Sequence, residues 1–195
     1  MAKARPITGL DPHALTSENA RIIARTRLQD LYEWDRYVDN PFNVHELHDL
    51  RIAAKRLRYT LEVFEDVLPE SSQAIVEELT RIQDELGALH DSDVFIALLR
   101  LCLGSRDSGT TYENALSKTK NQNGKQKTLV QPELVADLLD PAHTPSAEER
   151  YGLEQLLHQQ EHNREKQYTT FRQHWYQLHA RDFRRQILNI LDTDS

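Results

Sequence analysis

Apolar residues recur along this chain at helical spacing for long stretches. Leu47, Leu50, Ala54, Leu57, Leu61 and Phe64 fall at alternating steps of three and four. That rhythm keeps one face of an α-helix apolar, and a strand with its period of two cannot produce it. It predicts a helix from about Val44 to Leu68, where Pro69 stops it. Upstream, Thr16, Ser17 and Asn19 offer N-cap chemistry. A helix is expected there from about Glu18 to Val38, with Ile23, Ala24, Leu28 and Leu31 facing inward and Asp39-Asn40-Pro41 ending it. Downstream, Leu79, Ile82, Leu86 and Leu89 mark a helix that starts after Ser71-Ser72. His90-Asp91-Ser92 reads as a short interruption or cap before helix resumes over Val94–Leu103, and Gly87 reads as a point of close helix approach.

Beyond Leu103 the pattern lapses. Residues 104 to about 150 collect glycines, prolines and polar side chains, with a basic run at Lys118, Lys120, Lys125 and Lys127. They read as a polar insertion with short helices over Tyr112–Lys120 and Pro132–Leu139. Periodicity returns in a last long helix, Ser146 to about Leu191, where Arg164, Tyr168, Phe171, Trp175 and Leu178 repeat the three–four spacing and a bend is expected near His179–Arg181. The aromatic residues of that seam read as core. The organisation expected is a tail over 1–17 and one all-α domain over 18–195, an antiparallel bundle of amphipathic helices interrupted by the polar insertion.

Composition narrows this picture. Only 6 glycines in 195 residues argue against a turn-rich β architecture. A hydrophobic share of 38% with 28% charged residues suits helices with wide solvated faces. The lone Cys102 cannot close an internal disulfide and reads as a small buried hydrophobe, which points to a reducing compartment. No apolar run approaches the roughly 18 residues that a membrane span needs, and the N-terminus has no secretory pattern. The expected location is cytoplasmic. The net charge of -7 means that any polyanion site must be a local patch on an acidic body.

Such a patch is visible. His48, Arg51, Lys55 and Arg58 are spaced 3, 4 and 3 apart, each one position after a seam residue, so a line of cations runs beside the apolar line. No acid enters that line until Glu62. Like charges one turn apart repel, so either internal carboxylates such as Glu85, Asp91 and Asp93 neutralise the row or an external polyanion does. A linear phosphate chain suits the second case, with Arg offering a fork of donors, Lys a point charge and His a titratable donor. Arg56 points off the row. Arg164 occupies a seam position and requires a counter-charge if it turns inward; Arg21, Arg25 and Arg27 raise the same question on the first helix. Glycine-rich phosphate loops, nucleophile elbows and cysteine pairs are absent. His45, His48-Asp49 and His90-Asp91 leave open a metal-dependent phosphohydrolase, and the basic face leaves open a scaffold for an acidic protein or nucleic acid.

Two motifs carry a resemblance. His48-x-x-Arg51-x-x-x-Lys55-Arg56-x-Arg58-Tyr59 and Gln83-Asp84-x-Leu86-Gly87-x-x-x-Asp91-x-Asp93-Val94 resemble the conserved-histidine α-helical domain, CHAD. The likeness is specific over about 44–103, and the helix with Tyr168, Phe171 and Trp175 is similar to that family's closing helix. The resemblance implies an all-helical bundle without catalysis or cofactor that binds inorganic polyphosphate in a basic groove. It implies contacts from His48, Arg51, Lys55, Arg56 and Arg58. Family members usually carry two related halves, whereas the basic motif occurs here once. A second wall would then come from Arg21, Arg25, Arg27 and Arg164, or from a homodimer. Nucleic acid and membranes are not expected partners.

Overall fold

A computed structural model of the chain describes residues 4–103 and 145–192. The basic run at Lys118–Lys127 and the two short helices expected within the insertion lie outside the described residues. Among the described residues the fold is all-α. Its helices are α1 (Thr16–Tyr32), α2 (Val44–Val63), α3 (Ser72–Cys102), α4 (Ala147–Ala180) and α5 (Phe183–Asp192). Two 3-10 turns, Asp35–Tyr37 and Glu65–Val67, follow α1 and α2.

These helices form where the apolar seams predict them. Ala20, Ala24, Leu28 and Leu31 are buried on α1; Leu47, Leu50, Ala54, Leu57 and Leu61 on α2; Ile75, Leu79, Ile82, Leu86 and Leu89 on α3. Phe171, Trp175 and Leu178 on α4 and Phe183, Ile187 and Leu191 on α5 complete the set. Ile23, expected inside, is half-buried.

Four boundaries differ from expectation, each for a local reason. The first helix stops at Tyr32 because Asp35 turns into a 3-10 segment, where its Oδ1 accepts from Trp175 Nε1 at 2.7 Å and lies 2.9 Å from His179 Nε2. The second stops at Val63, where Phe64 leaves the helical region (φ -108, ψ 20) for the 3-10 turn, and Leu68 is extended (φ -106, ψ 154), the conformation that a following proline favours. The third runs unbroken through His90-Asp91-Ser92, because Ser92 donates to Gln167 Oε1 at 2.8 Å and Asp93 binds Arg164. These cap-type side chains are spent on another helix and do not compete for their own backbone. The last helix breaks at Asp182, whose φ of 53 is left-handed, so the expected bend is a full interruption between α4 and α5. Cys102 is half-buried at the end of α3, not fully enclosed.

The residues group into two compact units. The first comprises residues up to 39, 45–87 and those from 170 onward. Within it, Arg58 reaches Thr80 and Arg51 reaches Gln83, so α2 and α3 run antiparallel. Arg25 meets Asp192 and Arg184 lies over Tyr32, which sets α1 antiparallel to α5. The second comprises residues 40–44 and 88–169. Ser92–Gln167 and Arg100–Glu161 contacts align α3 and α4 there, and Val44, Ile96 and Leu157 pack together. No described helix is long and apolar enough to cross a membrane.

Candidate anion-binding site

The cationic row follows from the helix beneath it. With α2 intact from Val44 to Val63, His48, Arg51, Lys55 and Arg58 lie along one face spanning about 15 Å. Burying Leu47, Leu50, Ala54 and Leu57 pins the rotation of α2, so the row falls at the edge of the core. His48, Arg51 and Arg58 are half-buried and Lys55 is exposed. Three like-charge pairs one turn apart cost the helix roughly 0.5–1.5 kcal/mol when His48 is charged.

The groups of α3 that touch this row are uncharged, although the exposed Asp84 shares their helix face, one turn from both Thr80 and Gly87. Arg51 Nε donates a long hydrogen bond, 3.4 Å, to the Gln83 carbonyl, and its guanidinium lies against Gly87. A Cβ at Gly87 would stand 3.4 Å from Arg51 Nε and 3.7 Å from Nη2. The close helix approach expected at Gly87 is thus not what is found: the nearest group is the end of the Arg51 side chain, at ordinary contact distance. Arg58 Nη1 is 3.5 Å from Thr80 Oγ1, and its buried Nε has no hydrogen-bond partner among the described residues. Glu62 Oε1, 3.5 Å from Arg58 Nε, is the one described carboxylate in ion-pair contact with Arg51, Lys55 or Arg58. Lys55 Nζ and Arg58 Cζ sit 5.3 and 4.8 Å from the ring centroid of Tyr59, a residue left 45% exposed. The attraction of each cation for the ring holds both side chains beside it. Tyr59 stands in the motif but carries no charge, which is why a reading of charges passed over it.

The other candidate cations are differently placed. Arg56 is half-buried on α2 and Arg21 half-buried on α1. Arg25 pairs with Asp192 and donates to the Leu191 carbonyl at 3.2 Å. Arg27 donates to Asp30 at 2.8 Å and to the Arg5 carbonyl at 3.1 Å. Arg164 belongs to the second unit. Its Nε donates to Asp93 Oδ1 at 2.6 Å and its Nη2 to the Pro41 carbonyl at 2.6 Å. The counter-charge that an inward arginine requires is thus Asp93, only 2% exposed.

Two of the acids expected to neutralise the row are committed elsewhere. Asp93 holds Arg164. Glu85 accepts from Arg81 at 3.1 Å and lies 2.7 Å from His174 Nδ1, and the other ring nitrogen of His174 is 3.0 Å from Glu78. Only a doubly protonated ring donates to both carboxylates. This buried histidine was not singled out in the sequence, although Glu78 and Glu85, seven residues apart on α3, mark one helix face. Burial pushes the Glu78 carboxyl upward, but the His174 hydrogen bond and the Arg181 charge, with His174 and Arg81 adding, hold it below its ordinary value. The Asp39 carboxyl is also held low, by hydrogen bonds from Tyr176 and Arg172. Asp91 is exposed.

The histidine–aspartate pairs do not assemble. Asp49 is buried, His45, His48 and His90 are half-buried, and among the described residues no group of three or more His, Cys, Asp or Glu is placed to hold a metal ion. No curated protein and no solved structure matches the chain. The family model of the CHAD domain matches residues 2–100, which takes in α1, α2 and nearly all of α3, both motifs included. With half of its length accounted for in this way, and an all-α fold to match, the chain belongs to the CHAD domain family.

Proposed function

We propose that this protein binds inorganic polyphosphate without chemically changing it, through the row His48, Arg51, Lys55 and Arg58 on α2, with Arg56 at its rim. The supporting observation is a contrast in how the arginines are partnered. Arg27, Arg100, Arg164 and Arg172 each sit 2.6–3.0 Å from a carboxylate oxygen. Arg51, Lys55 and Arg58 share one long contact to Glu62 and otherwise face carbonyl, hydroxyl, ring and solvent. Their positive charge is left for an external anion.

Binding is electrostatic. Successive cations at helical spacing neutralise successive phosphates and release condensed counterions, so affinity falls with salt. Arg25, Arg27 and Arg164 serve the fold in this reading. A cytoplasmic location and action as a passive binder, alone or as a homodimer, go with it. The test is retention on immobilised polyphosphate across a salt series, beside single- and double-stranded DNA at matched charge. Arg51→Ala with Lys55→Ala is expected to abolish polyphosphate retention at moderate salt while the circular-dichroism spectrum stays helical. Equal retention of the doubly substituted protein removes the row from the site, and equal binding of DNA makes it a general basic face.

A further inference from the structure

Gly87 is an odd residue for its position. It lies in the middle of a 31-residue helix, and glycine is the poorest helix former after proline. Its φ is not in the left-handed region, and no turn or break occurs there. Backbone freedom does not explain it. What lies over it limits its size: Arg51 Nε, Nη2 and Cζ are the three nearest atoms, 3.4, 3.7 and 3.9 Å from where a Cβ would stand, ordinary contact distances that leave room for a methyl and nothing longer.

Geometry explains why the guanidinium needs a small residue here. In an α-helix the Gln83 carbonyl accepts the amide of Gly87, one turn on. Arg51 Nε donates to that same carbonyl at 3.4 Å, from the side. A side chain on residue 87 projects toward the N-terminal turn, over the path by which Arg51 arrives. With Nε turned to α3, the Nη1–Nη2 edge has no acceptor among the described residues. That edge is the forked face through which arginine grips phosphate.

We infer that Gly87 is a positioning residue of the anion site: by staying small it seats the Arg51 guanidinium on α3 at a fixed height along the row, with Nε spent on α3 and the Nη1–Nη2 edge left for the anion. The inference rests on the polyphosphate reading and specifies how one of its contacts is held. An alanine methyl would just meet the guanidinium; anything longer displaces it.

The experiment is a double-mutant cycle on the full chain, with Gly87→Leu, Arg51→Ala and the combined protein, reading the dissociation constant for inorganic polyphosphate, its salt slope and the thermal midpoint. Gly87→Leu is expected to stay helical, to weaken binding on the order of tenfold, as loss of a charged hydrogen bond does, and to flatten the salt slope. In the Arg51→Ala background the same leucine is expected to change affinity less than about twofold, within the usual additivity error. Gly87→Ala, run in the same cycle, is expected to bind within about twofold of wild type, and an alanine as weak as the leucine overturns the seat; Gly87→Val stands in for a leucine variant that fails to fold. A substitution at 87 that weakens binding equally in both backgrounds, or in neither, overturns the seat while leaving the row intact. If Arg51→Ala itself binds like wild type, the polyphosphate reading of Arg51 falls, and the seat with it.

Discussion

A role for Arg164 in the fold and a role in the ligand site differ measurably. Arg164→Met keeps most of the apolar stem and removes the guanidinium. It strips a carboxylate that is 2% exposed of its cationic partner at 2.6 Å, and the Pro41 carbonyl of a donor at 2.6 Å. Breaking a buried ion pair from one side costs about 3–5 kcal/mol, mostly the burden of the charge left behind. For a chain of this size each kcal/mol moves the thermal midpoint by about 2–4 °C, so the expected drop is about 6–20 °C. Removing the stranded charge as well should reverse much of the loss, because an apolar pair of similar volume is about as stable as the ion pair. Arg164→Met with Asp93→Leu is therefore expected to unfold closer to wild type than Arg164→Met alone, in urea and on heating. Polyphosphate affinity, measured well below the midpoint, is expected to be unchanged in both. A single variant within about 1 kcal/mol of wild type would refute the charge argument. A folded variant that no longer binds polyphosphate would return Arg164 to the ligand site.

Two further outcomes follow from the α3–α4 contacts in the first unit. Glu78 and Asp39 are both held below their ordinary values, so their contribution to stability is present above the unfolded values of 4.5 and 3.8 and is lost as pH falls through the lower folded ones. In urea titrations at stepped pH, Glu78→Gln is expected to be less stable than wild type near neutrality, with the gap closing as pH drops below about 4.5; a gap that is constant or widens in acid contradicts this. His174→Ala removes a side chain 4% exposed with two carboxylate contacts at 2.7 and 3.0 Å and is expected to cost about 1.5–3 kcal/mol by urea denaturation, where a loss under about 1 kcal/mol would mean the carboxylates simply turn to solvent.

The parts legible in the sequence were those where one physical demand acts along one helix. Burial of Leu47, Leu50, Ala54, Leu57 and Leu61 fixes both the existence of α2 and its rotation, and rotation fixes where the cations lie. Arg164 at a seam position implied a buried counter-charge before its partner was known. The parts that were not legible depend on two helices at once. Ser92 and Asp93 resemble a helix cap until Gln167 and Arg164 are placed opposite them, when they become side chains committed across a helix pair. Asp35 looks like ordinary helix until Trp175 and His179 claim it. Gly87 suggested close packing, but only the antiparallel register of α2 and α3 identifies the guanidinium as the packed group. His174 lies among polar neighbours in sequence and acquires meaning only beside Glu78 and Glu85.

The same register resolves the apparent conflict between an acidic chain and a site for anions. A net charge of -7 says nothing about whether any one cation meets a carboxylate. Beyond about one Debye length, roughly 8–10 Å at ordinary salt, exposed charges are largely screened, so what matters to the row on α2 is the strip of α3 it touches. Where it touches the row, that strip presents Thr80, the Gln83 backbone and Gly87, none charged, and the exposed Asp84 on the same face makes no described ion pair with Arg51, Lys55 or Arg58. The acids of α3 at 78 and 85 are turned to His174, Arg81 and Arg181, and the acid at 93 to Arg164. Because successive residues on a helix diverge by about 100°, moving an acid two positions along α3 carries it to nearly the opposite face. In the proposed reading, the ion pairs that α3 forms, more than overall charge, thus decide whether the cations of α2 are neutralised from within or remain open to phosphate.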